Sequence, residues 1–130
     1  MQKKIVVEDN LDAPPSRLWL ILTMPSEVRR WFGSGECSFE PRLGGEVRFR
    51  WTSASTKGQV VTWSPPTIFA IQFMPGSRVE FWCDPVDGGG TRLVISSTVV
   101  NSEPVAVAEA MNTWGQCLER IKARAEEKKS

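Results

Sequence analysis

Few residues in this chain of 130 could carry out chemistry. It has no histidine and no tyrosine, and its three cysteines, Cys37, Cys83 and Cys117, stand far apart. Without histidine there is no Ser-His-Asp or Cys-His pair, no imidazole base and no histidine-based metal site. Acid–base work would fall to Asp, Glu, Lys or Cys alone. No C-x-x-C pair occurs. An odd number of separated thiols fits small, buried apolar groups in a reducing cytoplasm. Asp84 and Asp87 in CDPVDGGG suggest a cation loop, but the EF-hand spacing and its closing glutamate are missing. Asp beside Gly makes a turn instead. DGGGTR leads into a strand and lacks the Lys-Ser/Thr of a phosphate loop. We therefore expect no metal, no cofactor and no catalytic residue. The balance leans away from an enzyme, with cavity chemistry free of metal and histidine as the weakest alternative.

Aromatic bulk is plentiful by contrast, with six Trp and six Phe. In RLGGEVRFRW, Arg42 to Trp51, a glycine pair leads into strict alternation. Glu46, Arg48 and Arg50 take one side of a strand, and Val47, Phe49 and Trp51 take the other. The glycines suit a bend or bulge where a strand begins to curl. Phe69, Ile71 and Phe73 repeat the alternation, as do Val79 with Phe81, and Leu93 with Ile95 and Ser97. These residues make one apolar sheet face holding a single hydroxyl, Ser97. Trp82 falls on the opposite side with Arg78 and Glu80, and an exposed Trp can mark a contact surface.

The elements that must position these faces follow from periodicity. Ile5–Val7 reads as a first strand. Pro14 or Pro15 opens a helix with Leu18, Trp19 and Leu22 on one face, Pro25 breaks it, and a second short helix runs to Trp31. Strands follow at Glu36–Phe39, Val47–Trp51, Gln59–Trp63, Phe69–Phe73, Val79–Cys83 and Leu93–Ser97, with TSASTKG as a polar loop. Their short links demand antiparallel neighbours. Val107, Met111, Trp114, Leu118 and Ile121 then recur at helical steps, which places Trp114 at the centre of the stripe and makes it the most buried residue of a long helix. Residues 124–130 read as a frayed tail. The order predicts a single α+β domain over residues 1–130, with a curved antiparallel sheet around the long helix.

The totals agree. Formal charge is +1 and acids are interleaved with the basic residues, which argues against nucleic acid. The longest apolar run, Leu18–Leu22, is far too short to insert into a membrane. No signal-peptide core follows the basic start, so the expected location is the cytoplasm.

Five motifs, in order and at fitting spacing, carry a resemblance. APPSRLWLILTMPSEVRRWFG has the proline helix start, the Leu-Thr pair, the proline and the Trp-Phe-Gly close. RLGGEVRF, KGQVVTWSPPTIFAIQF, GGTRLVISS and WGQCLERIK follow. Over roughly Ile5 to Lys122 the chain resembles the activator of heat-shock-protein-90 ATPase homologue-like family, within the START-like (SRPBCC) superfamily. The resemblance implies a helix-grip fold with a cavity between sheet and helix. It also implies functions that range over binding of apolar small molecules, occasional catalysis and protein partnering. Thr113, Ile68 and Ser97 depart from the family pattern, and Ser97 replaces a histidine common on that strand. The eukaryotic activators carry a further amino-terminal domain that contacts the chaperone, so the family name does not bring that activity with it.

The combined reading is a protein that binds a small hydrophobic or aromatic molecule. The cavity would be lined by Trp51, Phe69, Ile71, Phe81, Ile95, Ser97, Met111 and Trp114. The alternative is an interaction module working through its surface, by forming a homodimer or contacting a chaperone.

Overall fold

A computed structural model describes residues 3–32, 36–50, 55–73, 78–99 and 104–127. Side chains are described for these residues except 3, 32, 36, 37, 49, 50, 55, 56, 99 and 104–111. The elements in chain order are β1 (Lys3–Leu11), α1 (Pro15–Thr23), α2 (Pro25–Phe32), β2 (Glu36–Phe39), β3 (Glu46–Arg50), β4 (Ser55–Ser64), β5 (Ile68–Phe73), β6 (Arg78–Pro85), β7 (Thr91–Val99) and α3 (Pro104–Ala125).

The strands form one antiparallel sheet in the order β1-β7-β6-β5-β4-β3-β2. From β2 to β7 it is a meander, and β1 then pairs with β7 at the far edge. The sheet curves around α3, which gives the α+β helix-grip architecture read from the sequence. Residues Ser55–Gly58, read as loop, instead form the start of β4, because Lys57 and Gly58 pair with Arg48 and Val47. Ladder pairing overrides the weak strand preference of these polar residues.

Local chemistry explains the helices. Pro15 occupies the first turn of α1, where its missing N–H leaves nothing unsatisfied. The backbone N–H of Met24 closes that helix on the Leu20 carbonyl at 2.9 Å, and Pro25 then opens α2. Glu27 sits in the first turn of α2 and Arg29 and Arg30 in its last, matching the helix dipole. The indole N–H of Trp31 donates to the Ile21 carbonyl at 2.9 Å in the interior and fixes α2 against α1.

The glycine pair is architectural. Gly44 has a φ of +80°, and any Cβ on Gly45 would come within 2.2 Å of the Glu40 carbonyl oxygen. Its backbone brackets Val60: Gly44 N–H donates to Val60 O, and Val60 N–H donates to Gly45 O, both at 2.9 Å. The β4–β5 register shifts between Val60 and Thr62 beside this clasp. The CDPVDGGG stretch is a turn between β6 and β7. Val86 N–H donates to Gly90 O at 3.1 Å, and Gly88 and Gly89 take φ values of +90° and +88°.

Candidate functional site

On the inner face, β-ladder register arranges the side chains in cross-strand rows. One row runs Val7, Ile95, Phe81, Phe69, Trp63. The next runs Ile5, Ser97, Val79, Ile71, Val60. All of these are buried except Val7 and Trp63, which are half-buried.

The first row is the aromatic centre. Phe69 and Phe81 stack with ring centroids 4.7 Å apart and planes 8° from parallel. Trp19 of α1 meets Phe69 edge-on at 5.4 Å and Trp63 at 5.2 Å. Phe39 closes on Phe69 at 5.9 Å, and Trp31 of α2 lies 5.8 Å from Phe81. The two short helices therefore cover this end of the face, a role that periodicity assigns to the long helix alone. Trp19 and Trp31 were legible as apolar helix positions. Trp63 was not, because the irregularity between Val60 and Thr62 inverts the alternation and turns it inward beside Phe69.

Along α3, burial is graded. Cys117, Leu118, Ile121 and Ala125 are buried, and Ile121 is fully so at 0% exposure. Trp114 is only half-buried, although its ring meets Phe81 edge-on at 5.9 Å. This corrects the sequence reading of Trp114 as the helix's most buried residue: its contact with the sheet stands, but Ile121 and its buried neighbours are more enclosed. The carboxyl-terminal half of α3 is held firmly. Arg124 forks onto both carboxylate oxygens of Glu27, with its shortest contact at 2.8 Å, and Arg17 donates to the Ala125 carbonyl at 3.2 Å. Lys122 pairs with Asp9 at 3.1 Å, and Glu126 accepts from the Asp12 backbone N–H at 2.9 Å. Arg124 and the buried Ala125 thus belong to the docked helix, not to a frayed tail starting at residue 124. A cation over the last carbonyls of α3 also suits its dipole.

Of the eight residues proposed as a lining, Phe69, Phe81 and Ile95 share the first row, and Ile71 and Ser97 share the second. Trp114 reaches Phe81 from the helix. Trp51, and the side chain of Met111, lie outside what the structure describes. Ser97 is 6% exposed, and among the described residues its hydroxyl has no hydrogen-bond partner. The other buried polar groups facing the interior do have one. Thr91 donates to the Ala13 carbonyl at 2.7 Å, and Thr23 donates to Trp19 O at 2.7 Å. Burial pushes the Cys83 thiol up to about 12 and the Cys117 thiol up to about 11, so both are neutral and unreactive near pH 7. Among the described residues, no three of Cys, Asp and Glu come together as a metal-holding group.

The family profile described as Activator of Hsp90 ATPase homolog 1-like protein matches residues 12–126. The chain belongs to this family. Solved structures agree at the level of fold. The Aha1 dimer from Colwellia psychrerythraea is 19% identical, with a TM-score of 0.84 over 98% of this chain and 99% of that one. Protein MLL2253 from Mesorhizobium loti is 22% identical, with a TM-score of 0.82 over 92% of this chain and 94% of that one. CalU16 from Micromonospora echinospora is 23% identical, with a TM-score of 0.75 over 92% of this chain and 74% of that one. No curated protein matches in sequence. Among the described residues, no helix is long and apolar enough to cross a membrane. Membership in the Activator of Hsp90 ATPase homolog 1-like family accounts for the clasped helix and the gripping sheet. What the inner face holds is a question for this chain's own residues.

Proposed function

We propose that this protein binds a small apolar or aromatic molecule between the inner sheet face and α3. The carrying observation is the gradient along α3: the helix seals the face from Cys117 onward but leaves Trp114 half open against Phe81. Trp114 thus stands half-exposed at the edge of an otherwise buried aromatic wall. Such a wall with very few polar groups is how small-molecule sites are built. The lining would comprise Phe81, Ile95, Ile71, Ser97 and Trp114, with Phe69 behind them and with Trp51 and Met111 as further members. Catalysis has less support, because neither of the described inner-face rows holds an ionisable side chain.

The neutral fluorophore N-phenylnaphthylamine tests the reading. It should bind the folded protein and quench tryptophan emission. Ile95→Trp should block both effects, with circular dichroism checking that the fold survives. Ile71→Trp serves as the second filling variant if the first does not fold. Equal probe binding by the parent and a folded filled variant would mean that the space is packed core.

A second reading concerns the outer face. There Val94, Trp82 and Ile68 form a cross-strand row, with Trp82 at 37% exposure, and Val6 lies exposed in the adjacent row. Arg78 and Asp84 stand at opposite ends of the outward-facing side of β6. A second copy stacked face to face, about a twofold axis running across β6, would bring Arg78 over Asp84 of its mate. The solved relative from Colwellia psychrerythraea is a dimer, which supports self-association in preference to a chaperone contact.

A further inference from the structure

Among its cross-strand neighbours, Ser97 is a polar group in apolar company. Ile5 stands on one side of it and Val79 on the other, and Ile71 and Val60 continue the row, all buried. A buried hydroxyl needs a partner from protein, water or ligand. Thr91 and Thr23 take theirs from nearby carbonyls. Ser96, the neighbouring serine, is equally buried at 6% exposure but faces the other side of the sheet, between Glu80 and the exposed Val6. Ser97 instead faces the apolar interior at that same 6% exposure, and among the described residues it has no partner.

We infer that the Ser97 hydroxyl is the polar anchor of the bound molecule, which is a neutral, mostly apolar compound carrying a carbonyl or hydroxyl oxygen. This rests on the pocket reading above and adds the chemical class of the guest. Neutrality follows from the surroundings. The row around Ser97 holds no ionisable side chain, and an ion placed there would lose its hydration with no opposite charge in return. A single oxygen meets the hydroxyl's need without bringing further unpaired groups into the apolar wall. The hydroxyl can donate to a carbonyl or exchange bonds with an alcohol, so either oxygen type fits.

Matched pairs that differ only by one carbonyl isolate this term: indanone with indane, and fluorenone with fluorene. The two sizes guard against a poor fit of either. Displacement of N-phenylnaphthylamine reads the affinities. The parent should prefer the ketone of a pair by about threefold to tenfold, the yield of one buried neutral hydrogen bond. In Ser97→Ala that ratio should fall to about one. The bound ketone's carbonyl stretch should move to lower frequency in the parent and return in Ser97→Ala, a change that a merely structural serine would not produce. If ketone and hydrocarbon bind the parent equally, or the preference survives in Ser97→Ala, the anchor assignment is overturned while the pocket stands. If no pair member and no N-phenylnaphthylamine binds the parent, the pocket reading fails and the anchor falls with it.

Discussion

At the scale of single residues, Phe69 and Trp114 show how position sets energetic weight. Phe69 is enclosed by Phe81, Trp19, Phe39 and Trp63 and is wholly buried. Phe69→Ala should cost about 3–5 kcal/mol, the usual range for deleting a large buried aromatic. Trp114 is only half-buried, so Trp114→Ala should cost less, about 2 kcal/mol. Urea unfolding of both variants in one buffer checks the order, and a larger loss at Trp114 would contradict it. The thiols make a second prediction. In native protein at pH 8, Cys83 and Cys117 should resist iodoacetamide, and both should label in urea, read by peptide mass mapping. Their folded values lie above the ordinary thiol value of 9.0. The stability gained by burying them neutral is therefore complete below pH 9 and is lost as pH rises through about 11 to 12. Strand alternation made the inward phase of Phe81, Ile95 and Ser97 legible in the sequence. Trp63 escaped it, because a register shift on β4 leaves no reliable mark in a single sequence.

At the scale of elements, the junction of α2 with α3 is sensitive to pH. The Arg124 guanidinium, hydrogen-bonded to both oxygens of Glu27, holds that carboxyl below its ordinary 4.5. A depressed carboxyl contributes stability that is fully present above its unfolded value. The contribution fades as pH falls through the lower folded value. Urea midpoints measured from pH 7 down to pH 3 should therefore decline in the parent. In Glu27→Gln the decline should be shallower and the midpoint at pH 7 lower. Parallel pH profiles for the two proteins would show that the clasp is not a source of acid sensitivity. None of this pairing was legible beforehand, since Glu27 and Arg124 lie 97 positions apart. The long helix was legible from its stripe, and the proline starts of the short helices from their chemistry. The beginning of β4 was misread because Ser, Thr and Lys favour loops until a partner strand is supplied.

At the scale of the whole molecule, the two faces of the sheet make separate demands. The inner face is met by three helices, and the outer face carries the Val94–Trp82–Ile68 row in the open. If self-association uses that row, sedimentation should show a dimer for the parent and a monomer for Trp82→Glu, with ligand-probe binding preserved. A dimer that persists in Trp82→Glu would move the interface elsewhere. The architecture itself was legible, because short links force a meander and a lone apolar stripe must cover it. The division of that cover among α1, α2 and α3 was not. It depends on Trp19 and Trp31 meeting strands far along the chain.

The pairing of β1 with β7 also sets the order of assembly. Glu8 meets Arg92 across 84 positions, and Asp9 meets Lys122 across 113. β1 must wait for β7 before it has a neighbour, and α3 must wait for both. Closures this distant lose chain entropy before they gain contacts, so they slow folding. On the ribosome the meander would therefore emerge with the α3 side of its inner face still uncovered, a condition in which a nascent chain is exposed to aggregation. Weakening the α3 clasp, as in Glu27→Gln, should accordingly speed unfolding while leaving the refolding rate almost unchanged in stopped-flow measurements.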